Sequence, residues 1–359
     1  MKLFLTGGFL GSGKTTAIQQ ACTVLRGQQT TVGVITNDQG MRLVDSVFLK
    51  GFQIPAREVT GGCFCCNYTQ LDQGIRSLHQ KHHPAVIFAE SVGSCTDIVA
   101  TVIKPLERSY PDLEVAFSVF ADALVLLRHV KGAPAFFDDD VNYIYEKQLE
   151  EADLLVINKI DLLTADERMT LAGRIETMFP GVQALYQNSL DPGDIRLWLT
   201  ALKEFVPTDG RRSLEMDYDR YGTGEAKLAW LDHEWQILSR EGGAVEAATA
   251  LINRIYGKIR EKGLSLGHLK FLMKAGEWQR KISFTTVFEP ALRQSYYPVE
   301  TRELTLLINA RVQTTPGMLD AIVGEAVGEV TGRRKCQISP AVSAAFQPGY
   351  PRPLHRIME

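Results

Sequence analysis

Short apolar runs near residues 2–6, 31–36, 85–89, 115–121 and 153–157 alternate with amphipathic stretches up to about residue 205, a rhythm that predicts strands separated by helices. Runs such as Ala85-Val86-Ile87-Phe88-Ala89 and Leu154-Leu155-Val156-Ile157 lack a polar residue at every second place, as expected of parallel strands covered on both faces. The predicted architecture is α/β, with a doubly wound, mostly parallel sheet.

From Pro207 to Lys227 the pattern gives way to Asp, Arg, Gly and Tyr, and Thr208-Asp209-Gly210-Arg211-Arg212 reads as a polar loop. Beyond it the periodicity predicts a strand over 226–238, a helix over 243–262, strands near 266–274, 278–286 and 303–312, and a helix opened by Pro316-Gly317 with Thr314 or Thr315 as its cap. The order β-α-β-β-β-α describes a smaller α+β domain. Pro340, Pro348, Pro351 and Pro353 favour an extended strand or polyproline segment packed on the body. The expected division is a first domain at 1–206, a linker at 207–225, a second domain at 226–338 and a proline-rich tail at 339–359. No internal repeat is evident.

A chain of 359 residues with 45% apolar and 23% charged positions can bury two cores and is neither disordered throughout nor collagen-like. Its 39 basic and 42 acidic side chains leave a net charge of −3, which gives no electrostatic case for a nucleic-acid or anionic-membrane partner. The apolar start Met1-Lys2-Leu3-Phe4-Leu5 breaks at Thr6-Gly7-Gly8 without a small-residue cleavage site, and no apolar run is long enough for a bilayer. A cytoplasmic protein with reduced thiols is expected. Its cysteines, Cys22, Cys63, Cys65, Cys66, Cys95 and Cys336, do not have the spacing of a disulfide framework.

Gly8-Phe9-Leu10-Gly11-Ser12-Gly13-Lys14-Thr15 matches G-x-x-x-x-G-K-[ST] where a first strand passes into a first helix. Gly8, Gly11, Ser12 and Gly13 let successive N–H groups face phosphate oxygens, and the helix start adds the positive end of its dipole. Lys14 should reach the β- and γ-phosphates, Thr15 should hold Mg²⁺, and Thr16 should cap the helix or contact the α-phosphate. Glu90, closing the strand at 85–89, is the candidate to hold Mg²⁺ through water or orient the attacking water, with the Gly93 N–H sensing the γ-phosphate. Asn158-Lys159-Ile160-Asp161 follows another strand: Asp161 fits the paired donors of guanine, Asn158 ties this loop to the phosphate loop, and the Lys159 stem covers the base. Together these favour GTP over ATP.

Gly61-Gly62-Cys63-Phe64-Cys65-Cys66-Asn67 forms a loop ahead of a helix expected over 68–79. On an extended strand Cys63 and Cys65 share a face and Cys66 points away, so three-thiolate binding needs a turn after Cys65. Such a set suits Zn²⁺, Cu(I) or a similar ion and leaves a fourth position open. Buried small hydrophobes or a redox thiol set are the alternatives. Cys95 is a further ligand only if strand ends converge. His79, His82 and His83 could bind metal or form a solvated last turn.

With the phosphate loop, Glu90-Ser91-Val92-Gly93, Cys63-Phe64-Cys65-Cys66 and Asn158-Lys159-Ile160-Asp161, the chain resembles the CobW-type P-loop GTPases, akin to the urease- and hydrogenase-maturation GTPases, over about residues 3–190. The resemblance implies a P-loop NTPase fold and a slow GTPase yielding GDP and phosphate. It also implies Mg²⁺ at Thr15 and Glu90, and Zn²⁺, or Co²⁺ or Ni²⁺, at Cys63, Cys65 and Cys66. A client metalloprotein or cofactor pathway, with a corrinoid system as one candidate, would receive the metal, and a second copy of the chain is a further candidate partner. Asp122 resembles the family's Val-Asp element. Where the family shows Asn-Glu-Phe-Gly-Glu and then Asp, this chain has Asn37-Asp38-Gln39-Gly40-Met41 and then Asp45. A GTP-driven metallochaperone is the leading expectation. The rivals are an activator with structural cysteines and a metal sensor or adaptor in which hydrolysis is incidental.

Overall fold

A computed structural model of the chain describes residues 1–37, 44, 54–206, 210–287 and 300–359. Among these, two compact units separate. The first runs from Met1 to Gly224 apart from Val44 and takes up Gly349–Glu359 again, while the second comprises Val44 and Glu225–Pro348.

In the first unit β1 (Lys2–Gly8), β2 (Val32–Asn37), β3 (Ala56–Val59), β4 (Val86–Glu90), β5 (Glu114–Asp122), β6 (Leu154–Asn158) and β7 (Gln183–Gln187) form one sheet in the order β3-β2-β4-β1-β5-β6-β7. Every pairing is parallel. Its helices include α1 (Lys14–Gly27), α2 (Tyr68–His82), α3 (Lys104–Ser109), α4 (Ala123–Val130), α5 (Asp139–Glu150), α6 (Ala165–Met178) and α7 (Pro192–Glu204). This is the expected doubly wound α/β layer.

The two strands that apolar runs did not predict are β3 and β7, at the two edges of the sheet. Their residues are mostly half-exposed, so neither builds a continuous apolar run. The strands at the centre show the reverse. Phe4, Phe88 and Phe120 from β1, β4 and β5 pack with Ala17, Ile18 and Leu25 of α1 and with Ile195 and Trp198 of α7, and Cys22 is buried in that same core. The Trp198 indole lies edge-on to Phe120 at 5.2 Å and donates to Ser118 Oγ at 2.9 Å.

In the second unit β8 (Leu228–Ser239), β9 (Leu266–Ala275), β10 (Trp278–Thr285), β11 (Glu303–Gln313) and β12 (Cys336–Phe346) form an antiparallel sheet in the order β10-β9-β11-β8-β12. The helices Ala244–Glu261 and Pro316–Arg333 bury their apolar residues against it, and Thr315 caps the latter by accepting from the Met318 N–H. Pro340 lies in the edge strand β12 at a register shift, where a missing N–H breaks no ladder. Val44 is buried with Leu272 and Leu307, and its N–H donates to Asn309 Oδ1 at 2.7 Å. No helix among the described residues is long and apolar enough to cross a membrane.

Trp198 lies under the three strands whose ends carry the phosphate loop, Glu90 and Asp122. Trp198→Ala is expected to lower the unfolding free energy by about 3–5 kcal/mol, read as a fall in urea midpoint, because it opens a cavity and strips Ser118 of its donor.

Candidate functional site

Parallel pairing fixes which side chains meet at the carboxyl edge of the first sheet. Thr6 of β1 stands opposite Glu90 of β4 and Ser118 of β5, Gly8 opposite Phe120, and Asp122 opposite Asn158 of β6. The loop Gly8–Lys14 leaves β1 at that edge. At Gly8, φ is 116° and an added Cβ would fall 2.2 Å from the Phe120 carbonyl oxygen. At Gly13, φ is 98° and an added Cβ would fall 2.3 Å from Asn158 Nδ2, so neither position admits a side chain. Gly13 is also the N-cap of α1. No side chain caps the helix, Thr16 included, which leaves its first N–H groups for a ligand.

Lys14 is buried, and its ammonium donates to the carbonyls of Gly8 at 2.6 Å and Phe9 at 3.1 Å. Thr15 Oγ1 donates to Glu90 Oε1 at 2.7 Å, joining the hydroxyl and the carboxylate expected to share a hard cation. Gly93 sits against Leu10 so closely that an added Cβ would be 2.6 Å from Leu10 Cδ2. The Gln148 amide of α5, which sequence patterning did not single out, donates to the carbonyls of Gly93 at 3.1 Å and Cys95 at 2.8 Å.

At β6 the Asn158 amide donates to the Ser12 carbonyl at 2.7 Å, the tie between loops that the motif predicted. Its Oδ1 accepts from Ser189 N and Oγ at 3.0 and 2.8 Å. Ser189 was missed because it lies in the turn just beyond β7, a strand that gave no apolar signal. The Lys159 ammonium donates to Gly11 O at 2.7 Å and pairs with Asp122 at 2.6 Å, while Asp122 caps α4 through the N–H groups of Leu124 and Val125. Asp161 is exposed on the turn Ile160–Leu162, open to a ligand.

The cysteine loop is held by Asn37, the last residue of β2, whose amide donates to Val59 O at 3.1 Å and Gly62 O at 2.7 Å. The chain then turns from Phe64 onward, earlier than an extended strand would allow, and the Asn67 N–H returns to Cys63 O at 2.9 Å. That single helical turn brings all three sulfurs together. Cys63 and Cys65 Sγ are 2.6 Å apart, Cys63 and Cys66 3.3 Å, and Cys65 and Cys66 3.8 Å. Among the described residues this is the one group of three or more metal-capable side chains within 4.8 Å of one another. Contact with Cys63 and the other sulfurs, together with burial, holds the Cys65 thiol well above its ordinary range, and the Cys63 hydrogen bond pushes Cys66 up to about 11. A cation entering this set takes thiolates as ligands and so displaces the thiol protons. His79, His82 and His83 are exposed at the end of α2 and form no such group. Asp38 and Asp45 lie outside the described residues.

The end of the chain crosses the same loop. The Arg352 N–H donates to Cys66 Sγ at 3.3 Å, the Leu354 N–H to Cys65 O at 2.9 Å, and the His355 ring lies edge-on to Tyr68 at 4.7 Å. The Arg356 guanidinium pairs at 2.8 Å with Asp97, which is fully buried, has φ of 61° and also accepts from Tyr218 Oη at 2.7 Å. Behind that turn Glu151 accepts from the Ile98 and Val99 N–H groups at 2.7 and 3.3 Å and from Thr96 Oγ1 at 3.1 Å.

The family model described as CobW/HypB/UreG, nucleotide-binding domain, matches residues 2–185. The zinc chaperone CobW of Sinorhizobium sp is 28% identical over 284 residues, covering 71% of this chain and 76% of that protein. The zinc chaperone YeiR of Escherichia coli K12 is 28% identical over 170 residues, 46% of this chain and 49% of its own length. Among solved structures, HypB from Helicobacter pylori in complex with nickel aligns over 58% of this chain and 90% of its own, with 16% identity and a TM-score of 0.41.

Burial, reinforced by the nearby Asp97, pushes the Glu151 carboxyl up to about 8 from an ordinary 4.5. The folded chain therefore holds a proton that the unfolded chain releases, and this contribution to stability is full below about 4.5 and lost as pH rises through about 8. Urea unfolding as a function of pH should show that decline, and Glu151→Gln should flatten much of it.

Proposed function

The chain belongs to the CobW/HypB/UreG family of P-loop GTPases, and from that membership we propose that it couples hydrolysis of GTP to delivery of a transition-metal ion, zinc first, to a client metalloprotein or cofactor pathway. One observation carries the reading: the cysteine loop and the phosphate loop share an edge of one sheet. Asn37 holds the Gly62 carbonyl, and its neighbour Thr36 stands opposite Glu90, whose carboxylate accepts from Thr15. The similarity to proteins named zinc chaperones and the thiolate character of the set both favour zinc as cargo.

In this reading the N–H groups from Gly8 to Thr16 hold the phosphates, and the Lys14 ammonium moves from the Gly8 and Phe9 carbonyls onto β- and γ-phosphate oxygens. Thr15 and Glu90 supply hard oxygen donors that fit Mg²⁺, which when bound neutralises charge on the terminal phosphate. The Gly93 N–H senses the γ-phosphate. Asp161 accepts from the guanine N1–H and exocyclic amine, while Lys159, fixed by Gly11 and Asp122, lays its stem along the base. Among the described residues no arginine belongs to this set, and in this reading turnover is slow until a client supplies positive charge. Hydrolysis relaxes the turn that follows Glu90 and, through the shared edge, the grip of Cys63, Cys65 and Cys66 on their ion.

Two measurements test this. Asp161→Asn removes a charged acceptor and should weaken GTP binding by roughly 10–100-fold while improving binding of xanthosine triphosphate, read by nucleotide competition. Zinc affinity, read by chelator competition, should differ between the GDP and non-hydrolysable GTP-analogue states, and zinc should shift analogue affinity by the same factor. Cys65→Ser should abolish that linkage and leave metal-free nucleotide affinity unchanged. Equal zinc affinity in both nucleotide states would overturn the coupling, and a Lys14→Ala variant that still matures its client would favour an adaptor.

A further inference from the structure

A fourth sulfur stands at the cysteine cluster. Cys95 Sγ lies 3.9 Å from Cys65 Sγ, almost the same as the 3.8 Å between Cys65 and Cys66. A tetrahedral zinc site with four sulfurs at about 2.3 Å has sulfur–sulfur edges of about 3.8 Å, so Cys95 already stands one edge from Cys65. It is as deeply buried as Cys63 and Cys65, at 1% exposure against 2% for each, whereas Cys66 is half-buried. Cys95 meets the cluster through Cys65, just outside the set of three sulfurs that all lie within 4.8 Å of one another, and the Arg352 N–H approaches from the half-buried Cys66 side.

The position of Cys95 in the chain matters more than its distance. It ends the turn that starts at Glu90: Glu90 accepts from Thr15, Gly93 abuts Leu10 of the phosphate loop, and the Cys95 N–H donates to Val92 O at 3.0 Å. Gln148, itself buried, grips the carbonyls of both Gly93 and Cys95, so the turn moves as one piece. The Cys63-Phe64-Cys65-Cys66 loop is anchored separately, by Asn37 on β2. A displacement of Gly93 therefore shifts Cys95 relative to the other three sulfurs.

We propose that Cys95 is a fourth thiolate ligand of the metal carried by Cys63, Cys65 and Cys66, and that it links the nucleotide to the number of sulfurs on the ion. The proposal rests on the metallochaperone reading above and adds the residue through which the nucleotide acts. With Cys95 engaged the ion is closed off by four sulfurs. With Cys95 withdrawn a coordination position opens for a client's ligand. On metal entry each coordinating thiol loses its proton to solvent and gives an electron pair to the ion, with no change of oxidation state.

The test uses the full-length reduced chain titrated with Co²⁺, following the sulfur-to-cobalt charge-transfer band. Cys95→Ser should lose about a quarter of the band intensity of the unmodified protein and bind Co²⁺ at least roughly tenfold more weakly. It should also lose the difference in Co²⁺ affinity between GDP and a non-hydrolysable GTP analogue. A variant matching the unmodified protein in band, affinity and nucleotide dependence overturns the proposal. Absence of any thiolate band in the unmodified protein would instead count against the metal site as a whole. Should Cys95→Ser fail to fold, X-ray absorption on the zinc-loaded unmodified protein decides: four sulfurs on zinc support the proposal, and three sulfurs with one light atom overturn it.

Discussion

Seven strands running in one direction place all their carboxyl ends on one edge, and the chemistry of this chain follows from that constraint. A parallel ladder fixes side-chain order across the sheet, so Thr6 opposite Glu90 and Asp122 opposite Asn158 settle where a carboxylate, an ammonium partner and an amide emerge. The strands cannot slip past one another cheaply. A shift by one residue would turn Phe4, Phe88 and Phe120 away from Trp198 and into the opposite, equally buried face, where Leu3, Leu5 and Ile87 already pack. Burial on the face of the sheet thus sets the geometry at its edge.

Two asparagines at strand ends do comparable work for two different loops. Asn158 closes β6 and hydrogen-bonds the Ser12 carbonyl of the phosphate loop, while Asn37 closes β2 and hydrogen-bonds the Gly62 carbonyl ahead of the cysteines. Both are buried, where an amide left unpaired costs about 1–3 kcal/mol, so each loop is held to a rigid strand by more than its covalent ends. Gly13 shows how close the first approach is, since a methyl group there would overlap the Asn158 amide.

Beyond Cys95 the chain runs over two buried carboxyl groups, Asp97 and Glu151. Asp97 takes a left-handed backbone conformation that few residues adopt, and Tyr218 and Arg356 compensate its carboxylate. Glu151 satisfies the N–H groups of Ile98 and Val99 at the start of the following helical segment. The Arg356 partnership requires the last residues of the chain, whose backbone reaches Cys65, Cys66 and Ala100 on the way. A segment remote in sequence thereby becomes part of the wall around the cysteines.

The phosphate loop, Glu90, Asn158-Lys159-Ile160-Asp161 and the cysteine triplet were legible in the sequence because each is a local pattern whose spacing carries its chemistry, and the central strands were legible because burial on both faces forces an unbroken apolar run. The edge strands β3 and β7 were not, since half-exposed positions tolerate polar residues, and Ser189 was missed with them. Nor could one-dimensional spacing place Cys95 beside Cys65, thirty positions away, set Gln148 across the turn after Glu90, or lay Arg352 and Arg356 over the cysteine loop. Those meetings depend on how the strands are ordered and where the chain end returns. Contacts of that kind are made by packing in three dimensions, and no periodicity along the chain records them.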